Sequence, residues 1–315
     1  MAAFLVTGGG GFIGSNLVEA LLGRGETVRV IDNFATGRRA NLEHAPRWAE
    51  SGRGRFELVE ADIRDLDACR TSVAGCEYVL HQAAIPSVQR SVEDPLATNA
   101  VNVGGTLNLL VAARDAKVRR FVMASSSSLY GDSPTLPKVE SMAPAPISPY
   151  GLQKLAGETY LGIFHKLYGT PTVALRYFNV FGARQDPGSE YSAVIPKFIA
   201  AIKEARRPTI YGDGEQTRDF TFIANVVAAN IAACAADSAA LGGAYNIACG
   251  DRISLNALVR ILSGFAGRDV AARYAARRPG DIEHSLAGID KARTLLGWSP
   301  EVSVRDGLRR TWDAS

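Results

Sequence analysis

The sequence predicts an α/β fold: a doubly wound parallel sheet with helices on both faces, followed by a smaller C-terminal α/β lobe. Two observations carry this prediction. Short apolar runs rich in β-branched and aromatic residues alternate with helical stretches through the first half of the chain. The first of these runs leads into a glycine-rich turn that opens a helix. Parallel strands need such crossover connections, so the alternation favours a parallel sheet.

The elements follow from local patterns along the chain. Phe4–Thr7 is apolar and β-prone, and Leu17, Val18, Leu21 and Leu22 after it recur at helical spacing. Further strands are predicted at Thr27–Ile31, Phe56–Glu60, Tyr78–Leu80, Arg120–Ala124, Thr172–Arg176 and Ala244–Ile247. Helices are predicted at Pro95–Ala116, Tyr150–Tyr168 and Ile195–Glu204.

Composition argues against several classes of protein. Among 315 residues, 35 Lys and Arg against 32 Asp and Glu leave a net charge of +3 with no like-charge run, unlike a nucleic-acid-binding surface. No apolar run approaches the ~20 residues that span a bilayer, and the N-terminus lacks the basic region of a signal peptide. The four cysteines lack CxxC spacing, so we expect reduced thiols, no metal site and a cytoplasmic protein.

The glycines are concentrated in one motif, Gly8-x-x-Gly11-x-x-Gly14, between the first strand and the first helix. The first glycine permits the tight turn, the second lets the backbone approach a pyrophosphate, and the third lets the helix pack close to the strand. The N–H groups at the helix N-terminus then face the phosphates. A glycine-rich turn alone is weak evidence, but this context predicts dinucleotide binding.

Asp32 stands 18 residues after the last glycine of the turn, at the end of the second strand. It can accept hydrogen bonds from both adenosine ribose hydroxyls and repel a 2′-phosphate, which favours NAD. Arg38 and Arg39 follow it and keep NADP as an alternative. Asp62 and Ile63 either face the adenine or begin a helix with Asp62 as its cap. The cofactor contacts predicted in this region are Gly8, Gly11, Phe12, Ile13, Gly14, Asp32, Asn33, Gly37, Asp62 and Ile63.

Tyr150 and Lys154 are four residues apart on a predicted helix, so they share one face. A nearby cation lowers the pKa of tyrosine from ~10, and such a tyrosine can act as general base toward a sugar or alcohol hydroxyl. Ser125–Ser128 follow the fifth strand, at the edge where open α/β sheets bind ligands. The alternative is a surface lysine beside a half-buried tyrosine, with a flexible serine loop nearby. The three motifs in this order favour a catalytic site.

With these motifs the chain resembles the extended short-chain dehydrogenase/reductase superfamily, which has a Rossmann-type fold. Within it, the chain looks like the UDP-hexose 4-epimerase branch, most like UDP-N-acetylglucosamine 4-epimerases. The resemblance runs from Leu5 to about Trp312. It rests on Thr7–Gly14, His81–Ala84, Asn102–Thr106, Ser125–Gly131, Tyr150–Lys154, Arg176–Asn179, Tyr211–Gly214, Arg218–Phe220 and Arg278–Asp281.

The resemblance implies a role for each site residue. Tyr150 is the base, Lys154 lowers its pKa and holds the nicotinamide ribose, and Ser126 hydrogen-bonds the reacting hydroxyl. Further implied NAD contacts are Gln82, Ala83, Ala84, Asn102 and Tyr177, beside Tyr150 and Lys154 themselves. Implied substrate contacts are Ser87, Ser126, Ser127, Ser128, Tyr150, Asn179, Ala193, Val194, Tyr211, Arg218, Arg278, Asp281 and Ser285. Asp219, within the same motifs, is alternatively plain loop structure.

The implied reaction is redox-neutral and needs no metal. Bound NAD takes a hydride from C4 of a UDP-sugar, the 4-keto sugar turns over, and the hydride returns to its other face. A small residue at Ser285 is implied to admit an N-acetyl group, so we expect UDP-GlcNAc and UDP-GalNAc as the main pair, with UDP-Glc and UDP-Gal slower. Ser285 is alternatively just a small loop residue.

Other functions remain as alternatives. A UDP-glucuronate 4-epimerase is the first, because Arg184 and the serine loop could meet a carboxylate. Sugar-nucleotide 4,6-dehydratases usually carry Asp-Glu where this chain has Ser127 and Ser128. A non-catalytic NAD-binding sensor would typically lose Tyr150 or Lys154.

We expect one part of the chain to bind NAD and another to bind the UDP-sugar. Residues 1–175 form the predicted NAD-binding Rossmann domain, completed by parts of 222–248, and residues 176–315 form the UDP-sugar-binding lobe. The rhythm of strands and helices breaks at about residue 176, where loops rich in Gly, Pro, Asp and Arg begin. The resemblance also implies a homodimer through the helices Pro95–Ala116 and Tyr150–Tyr168. We expect no nucleic-acid or membrane partner.

Overall fold

The structure, a computed structural model, describes residues 2–52, 54–186, 194–277 and 283–315. Its strands, in chain order, are β1 Ala3–Thr7, β2 Thr27–Asp32, β3 Arg55–Glu60, β4 Tyr78–His81, β5 Arg120–Ser126, β6 Thr172–Tyr177, β7 Val180–Phe181, β8 Thr209–Tyr211, β9 Thr217–Arg218, β10 Thr221–Phe222, β11 Gly243–Ile247, β12 Ile253–Ser254 and β13 Arg273–Ala275.

Seven of these strands form one parallel sheet in the order β11-β6-β5-β4-β1-β2-β3. The predicted α/β fold is confirmed, and each of the seven predicted strands lies in this sheet with ends shifted by one or two residues. The central strands are continuously apolar because helices cover both faces, and all of β6 is buried. By contrast β3, at the edge, has four exposed residues, three of them charged, and only Phe56 and Val59 are half-buried.

The helices cover both faces of this sheet. They are α1 Phe12–Gly23, α2 His44–Glu50, α3 Leu66–Val73, α4 Val88–Glu93, α5 Pro95–Asn99, α6 Thr106–Asp115, α7 Pro149–Tyr168, α8 Val194–Lys203, α9 Ile223–Ala235, α10 Leu255–Phe265, α11 Asp290–Leu296 and α12 Val304–Asp313. Short 3-10 turns lie at Arg39–Leu42, Ser127–Tyr130 and Ser238–Ala240.

The helix predicted at Pro95–Ala116 is not regular. It consists of α5, a π-helical turn over Ala100–Gly105, and α6. The turn ends at Gly105, where an added Cβ would lie 2.5 Å from Cδ1 of Ile63. The loop that carries Ile63 therefore packs directly against the helix backbone. The helical spacing of the apolar residues predicted one continuous helix and gave no sign of this turn.

The same segment corrects the expectation that no apolar run approaches membrane-spanning length. Within the described residues, Pro95–Asp115 is the one helical run long and apolar enough to cross a membrane, with a mean hydropathy of 1.2. However, Leu109, Leu110 and Ala113 in it are fully buried in a core cluster that also holds residues of α3 and α7. Core helices pass the same test of length and composition.

After β6 the chain forms short strand pairs outside the main sheet and helices that pack against it. Three two-stranded pairs form there, β7 with β10, β8 with β13, and β9 with β12. The strand β11 then returns to the main sheet beside β6. Thus part of the second half of the chain completes the sheet that the first half began.

Asp219 fastens the loops of this second half together. Its fully buried carboxylate accepts three N–H groups from two separate loops: those of the neighbours Cys249 at 2.9 Å and Gly250 at 3.1 Å, and that of Ala287 at 3.1 Å. Burial raises the pKa of Asp219 to about 7, and the three N–H donors act in the opposite direction. The contacts of Asp219 within the described residues are structural.

Replacing Asp219 by Asn should therefore destabilise the fold. The amide keeps one acceptor oxygen but turns an NH2 group toward an N–H donor, so a buried donor loses its partner at a cost of about 1–3 kcal/mol. Urea denaturation measures this as a lower midpoint with an unchanged m-value. Asp115→Asn, at an exposed ion pair with Arg114, is the control and should change the free energy of unfolding by less than about 0.5 kcal/mol. Equal urea midpoints for wild type and Asp219→Asn would refute the structural role of Asp219.

Candidate active site

A cavity of 920 Å³ opens at the carboxyl edge of the central strands. It begins at the glycine turn after β1, passes the ends of β2, β4 and β5, and reaches Tyr150 on α7. Open parallel sheets bind ligands at this edge because the loops diverge there. The predicted cofactor contacts that line it are Gly8, Gly11, Phe12, Ile13, Gly14, Asp32, Asn33, Gly37, Asp62, Ile63, Gln82, Ala83, Ala84, Tyr150 and Tyr177.

The glycine turn is packed too tightly for side chains. Gly8 has a φ of +68°, and an added Cβ there would lie 2.8 Å from the backbone of Ala83. A Cβ on Gly14 would lie 2.1 Å from the carbonyl oxygen of Gly8. The helix α1 begins after Gly11, which has no side chain to cap it. The first N–H groups of α1 therefore have no side-chain cap and face the cavity, where they can bind a phosphate.

Asp32 lies at the far side of this turn. Its two carboxylate oxygens accept the N–H groups of Gly10 at 2.8 Å and Phe34 at 2.7 Å, and the residue lines the cavity. Carboxylate oxygens accept more than one hydrogen bond each, so Asp32 can also bind ribose hydroxyls. Arg38 and Arg39 pair with Asp186 and Glu60. Because both arginines face carboxylates, the site favours NAD over NADP.

Asp62 lies in the cavity wall and does not cap a helix. It accepts hydrogen bonds from Asn33 at 2.8 Å and from Arg64, whose side chain lowers the pKa of Asp62 to about 2. The cap of α3 is Asp65, which accepts the N–H groups of the next helical residues. Of the two alternatives for Asp62, the helix cap is therefore excluded.

Two predicted cofactor contacts, Asn102 and Lys154, do not line the cavity within the described residues. Asn102 lies in the π-helical turn and holds both backbone groups of Ile85, accepting its N–H at 2.8 Å and donating to its carbonyl at 3.3 Å. It also donates to Gln153 of α7 at 2.8 Å. Its amide thus positions the loop after β4, which carries Gln82, rather than reaching the cavity.

Tyr177, at the end of β6, belongs to a three-membered cluster. Its hydroxyl donates to Gln82 at 3.3 Å and accepts from Asn230 at 2.8 Å, while Gln82 donates to Asn230 at 3.1 Å. Asn230 comes from α9, far along the chain, and no sequence motif marked it. Burial raises the pKa of Tyr177 to about 12, so it is a neutral phenol at physiological pH.

The neighbouring His81 is structural. Its two ring nitrogens contact the hydroxyls of Thr7 and Thr106, each at 2.8 Å. Burial lowers the pKa of His81 to about 3, so the ring is neutral.

Tyr150 lies at the first turn of α7, whose start the local sequence specifies. Ser148 is the N-cap and accepts the N–H of Gly151 at 3.1 Å. Pro149 follows at the first helical position, where a backbone N–H would have no partner within the helix. The N–H of Tyr150 donates to Ser91 on α4 at 3.0 Å. The first turn is therefore fixed by two serines, and it presents Tyr150 to the cavity.

The Tyr150–Lys154 pair is arranged differently from the prediction. The ammonium of Lys154 lies 5.8 Å from the centre of the Tyr150 ring and donates to the carbonyl of Ala124 at 2.8 Å. Burial raises the pKa of Tyr150 to about 12, and a hydrogen bond with Ser126 opposes this rise. The pKa of Tyr150 therefore lies above its ordinary value and not below it as predicted, because burial of the phenol outweighs the effect of a cation at that distance.

A buried polar network that the sequence analysis missed lies below these residues. Glu158, on α7, accepts two N–H groups of Arg176 at 2.8 and 2.9 Å and the hydroxyl of Ser125. Arg176 also donates to Tyr130 at 2.7 Å, and Tyr130 donates to Asn246 at 2.7 Å. The sequence did contain a signal for Glu158, because it follows Lys154 by four residues and so lies on the same helix face as Tyr150 and Lys154.

A second cavity of 520 Å³ adjoins the first. Four cationic residues line it, and the two cavities share Asn179 and Val180. The cationic residues are Lys197, Arg206, Arg207 and Arg218. The predicted substrate contacts that line it are Asn179, Val194, Tyr211 and Arg218. This concentration of positive charge suits a diphosphate.

The other predicted substrate contacts are placed as follows. Ser126 and Ser87 line the first cavity, and Ser87 also caps α4. Ser127, Ser128 and Ser285 line neither cavity within the described residues, although Ser285 accepts from Asn179, at their junction, at 3.4 Å. The predictions for Ala193, Arg278 and Asp281 lie outside the described residues.

The residues of the first cavity fit NAD. The turn has no room for Cβ atoms where the backbone must meet a pyrophosphate, and Asp32 lies where a ribose would follow. Tyr150, Ser126 and Tyr177 stand at its other end, where the nicotinamide would lie.

Comparisons agree with this geometry. The model of the NAD-dependent epimerase/dehydratase family matches residues 4–248. The UDP-glucose 4-epimerase of Mycolicibacterium smegmatis is 38% identical over 309 residues, covering 98% of this chain and 96% of its own. A solved UDP-N-acetylglucosamine 4-epimerase from Methanobrevibacter ruminantium, in complex with UDP-N-acetylmuramic acid, superposes with a TM-score of 0.92 at 39% identity, covering 99% and 97% of the two chains. A UDP-glucuronic acid 4-epimerase from Bacillus cereus, solved with UDP-glucuronic acid and NAD, superposes with a TM-score of 0.88 at 34% identity, covering 99% and 98%.

Two glycines of α1 offer a matched test of the turn. Gly14→Ala should lower the free energy of unfolding by about 1–3 kcal/mol and leave the purified protein with less NAD, because its Cβ meets the carbonyl of Gly8. In Gly23→Ala the nearest atoms are those of Trp48, at 3.8 Å. That control should be neutral or more stable by up to ~1 kcal/mol. Urea denaturation and measurement of NAD released by acid check both. Equal NAD content in the two variants would contradict the assignment.

Proposed function

Because the chain belongs to the NAD-dependent epimerase/dehydratase family, we propose that it inverts C4 of UDP-sugars through a 4-keto intermediate, with NAD as the cofactor. We further propose UDP-GlcNAc and UDP-GalNAc as its main pair, with UDP-Glc and UDP-Gal as slower substrates. The relatives include enzymes named for glucose, N-acetylglucosamine and glucuronic acid, so the choice of sugar rests on the residues of this chain.

One observation carries the proposal. The dinucleotide-sized cavity and the cationic cavity meet at Asn179 and Val180, and the first of them also contains Tyr150 and Ser126. A nucleotide diphosphate held by the cations would extend its sugar toward this junction. A proton-transferring phenol, a hydroxyl donor and the cofactor cleft would then surround one carbon of the sugar.

The residues of this chain provide binding, orientation and proton transfer. When bound, NAD accepts a hydride from the sugar carbon and returns it. Tyr150 exchanges a proton with the 4-oxygen, and Ser126 hydrogen-bonds the same oxygen. Burial keeps the proton on Tyr150 in the described state, which is the form that protonates a 4-keto oxygen. The Lys154 ammonium and Ser126 favour the phenolate, the form that takes the proton from the 4-hydroxyl.

Substrate release and rebinding are not needed, since the sugar can turn about its diphosphate link while the cationic cavity retains the nucleotide. The four cations there would hold the diphosphate by charge, and charge does not fix the orientation of the sugar. Preorganised donors around the 4-oxygen would then serve both faces of the sugar.

The proposed preference for N-acetylated sugars depends on the junction of the cavities. Ser285 accepts a hydrogen bond from Asn179 there, and its short side chain would leave room beside the sugar. The glucuronate alternative needs a cation for the sugar carboxylate. Arg184, its first candidate, lines the first cavity and pairs with Glu19 of α1 through Nη2, so a sugar carboxylate would compete with Glu19 for this guanidinium.

Two other functions are less consistent with the residues. The positions after Ser126 are hydroxyls, Ser127 and Ser128, which do not supply the acid and base for eliminating water. A non-catalytic NAD sensor would not need Tyr150 in the cavity beside Ser126.

We also propose the homodimer and the two-part organisation. Apolar side chains remain exposed on α4, α5 and α7, among them Val92, Leu96 and Leu152 at 63, 84 and 58% exposure. A second copy of this chain would bury them, and sedimentation velocity tests that assembly. The proposed NAD-binding part is 1–175 with parts of 222–248, and the proposed sugar-binding part is 176–315.

Incubation with UDP-GlcNAc, UDP-Glc and UDP-GlcA, with chromatographic separation of C4 epimers, tests the function. We expect UDP-GalNAc to form fastest, UDP-Gal more slowly, and no epimer of UDP-GlcA. Tyr150→Phe removes only the phenolic hydroxyl, so it should keep its NAD and lose about 100-fold or more in turnover. Absence of any epimer from all three sugars would refute the function, and a dominant UDP-GlcA activity would refute the sugar assignment.

Enlarging Ser285 tests the specificity. In Ser285→Tyr the ring should fill the space beside the sugar, so turnover of UDP-GlcNAc should fall at least about tenfold relative to UDP-Glc. Ser285→Ala keeps the side chain small and should leave the ratio of the two rates unchanged. If the tyrosine variant also keeps the wild-type ratio of kcat/KM values, Ser285 does not gate the sugar.

A further inference from the structure

Glu158 is buried beside the site, and no sequence motif assigned it a role. It follows Tyr150 by eight residues and Lys154 by four, so the three side chains lie on one face of α7. Its side chain is 7% exposed and that of its partner Arg176 is 6% exposed. A carboxylate so far from water needs several partners, because its desolvation costs more than one ion pair returns.

The contacts of Glu158 reach the two strand ends that begin the site. Ser125, which donates to Glu158, immediately precedes Ser126 on β5. Arg176, which donates to it through Nε and Nη2, immediately precedes Tyr177 on β6. In a strand, successive side chains point to opposite faces. Fixing Ser125 and Arg176 on one face therefore fixes the neighbouring residue of each strand on the other.

The charges around Glu158 define its second effect. On its own helix it faces Lys154, whose ammonium has one hydrogen bond, to Ala124, within the described residues. From β6 it faces Arg176, and from α11 it faces Lys291. Burial lowers the pKa of Lys154 to about 8, and Glu158 acts against this change. His81, which also lies near Lys154, is neutral.

We propose that Glu158 is a positioning residue for the reaction: its carboxylate fixes the ends of β5 and β6 that carry Ser126 and Tyr177, and its charge keeps Lys154 an ammonium ion beside Tyr150. This rests on the proposed function only insofar as Tyr150 exchanges a proton there. Without Glu158, Lys154 would lose its proton at a lower pH. The phenolate of Tyr150 would then lack the cation that favours it.

Three variants separate charge from structure. Glu158→Gln removes the charge with little change in shape. Glu158→Asp keeps the charge on a shorter side chain. The double variant Glu158→Gln with Arg176→Gln removes both buried charges, so it leaves no uncompensated arginine. Glu77→Gln, in an exposed pair with Arg119, is the control for loss of a carboxylate.

The midpoint of Lys154 protonation can be measured directly by an NMR titration of holoenzyme labelled with ¹³C at the lysine ε-carbons. The Lys154 signal is assigned as the one that disappears in Lys154→Arg. We expect the wild-type midpoint to lie below the usual value for lysine, because the ammonium is buried. Glu158→Gln and the double variant should lower it by about one pH unit or more, and Glu158→Asp and Glu77→Gln should leave it within about half a unit. This result is independent of any sugar substrate, so it stands even if no UDP-sugar is epimerised.

Kinetics and melting temperature complete the test. With the substrate that wild type epimerises, Glu158→Gln should lower kcat about tenfold with KM changed less than about twofold, and its kcat should fall at lower pH than in wild type. The double variant should recover melting temperature but not kcat. An unchanged Lys154 midpoint in both Gln variants would overturn the proposal. So would wild-type kcat and pH profile in the double variant, since the role of Glu158 would then be structural only.

Discussion

The buried ion pair of Glu158 and Arg176 is the interaction on which the active site depends. It joins α7 to β6, and through Ser125 and Tyr130 it also joins β5 and the turn after it. These are the elements that bring Tyr150, Ser126 and Tyr177 to one cavity. A buried pair of this kind is weak evidence for stability, since apolar residues can replace one without loss. Its value here is specificity of arrangement, because its partners lie at the ends of β5 and β6 and in the turn after β5, next to the site.

The cofactor side of the site depends on a different constraint, the close approach of backbone to backbone. The glycine turn brings Gly8 and Gly14 into contact and places Gly10 against Asp32. Side chains are excluded there, so the phosphate-facing groups are N–H groups that need no reorganisation on binding. The proposed substrate side would rely on charge instead, with four cations around a cavity that adjoins the first. In the proposed reaction, rigid backbone for the dinucleotide and charge for the diphosphate would leave the sugar free to turn between them.

Much of this could be predicted from the sequence. The strands were predictable because parallel strands buried on both faces are continuously apolar, and the turn because its glycines have a steric reason. The predictions missed contacts that join distant parts of the chain, such as Asn230 to Tyr177 and Ile63 to Gly105. They also misjudged the pKa of Tyr150, since spacing on a helix indicates that a cation is near but not how deeply the phenol is buried. Local patterns carry no information on desolvation, which here decides the direction of the pKa change.

The central claim is that the hydrogen on C4 leaves the sugar and returns to the same carbon without exchange with water. UDP-GlcNAc carrying deuterium at C4 tests it most directly, with the UDP-GalNAc product analysed by NMR in ordinary water. The account predicts that deuterium stays at C4 of the product and that turnover shows a primary isotope effect when hydride transfer limits the rate. Product that carries solvent hydrogen at C4 would contradict it, because the C4 hydrogen would then have been exchanged as a proton.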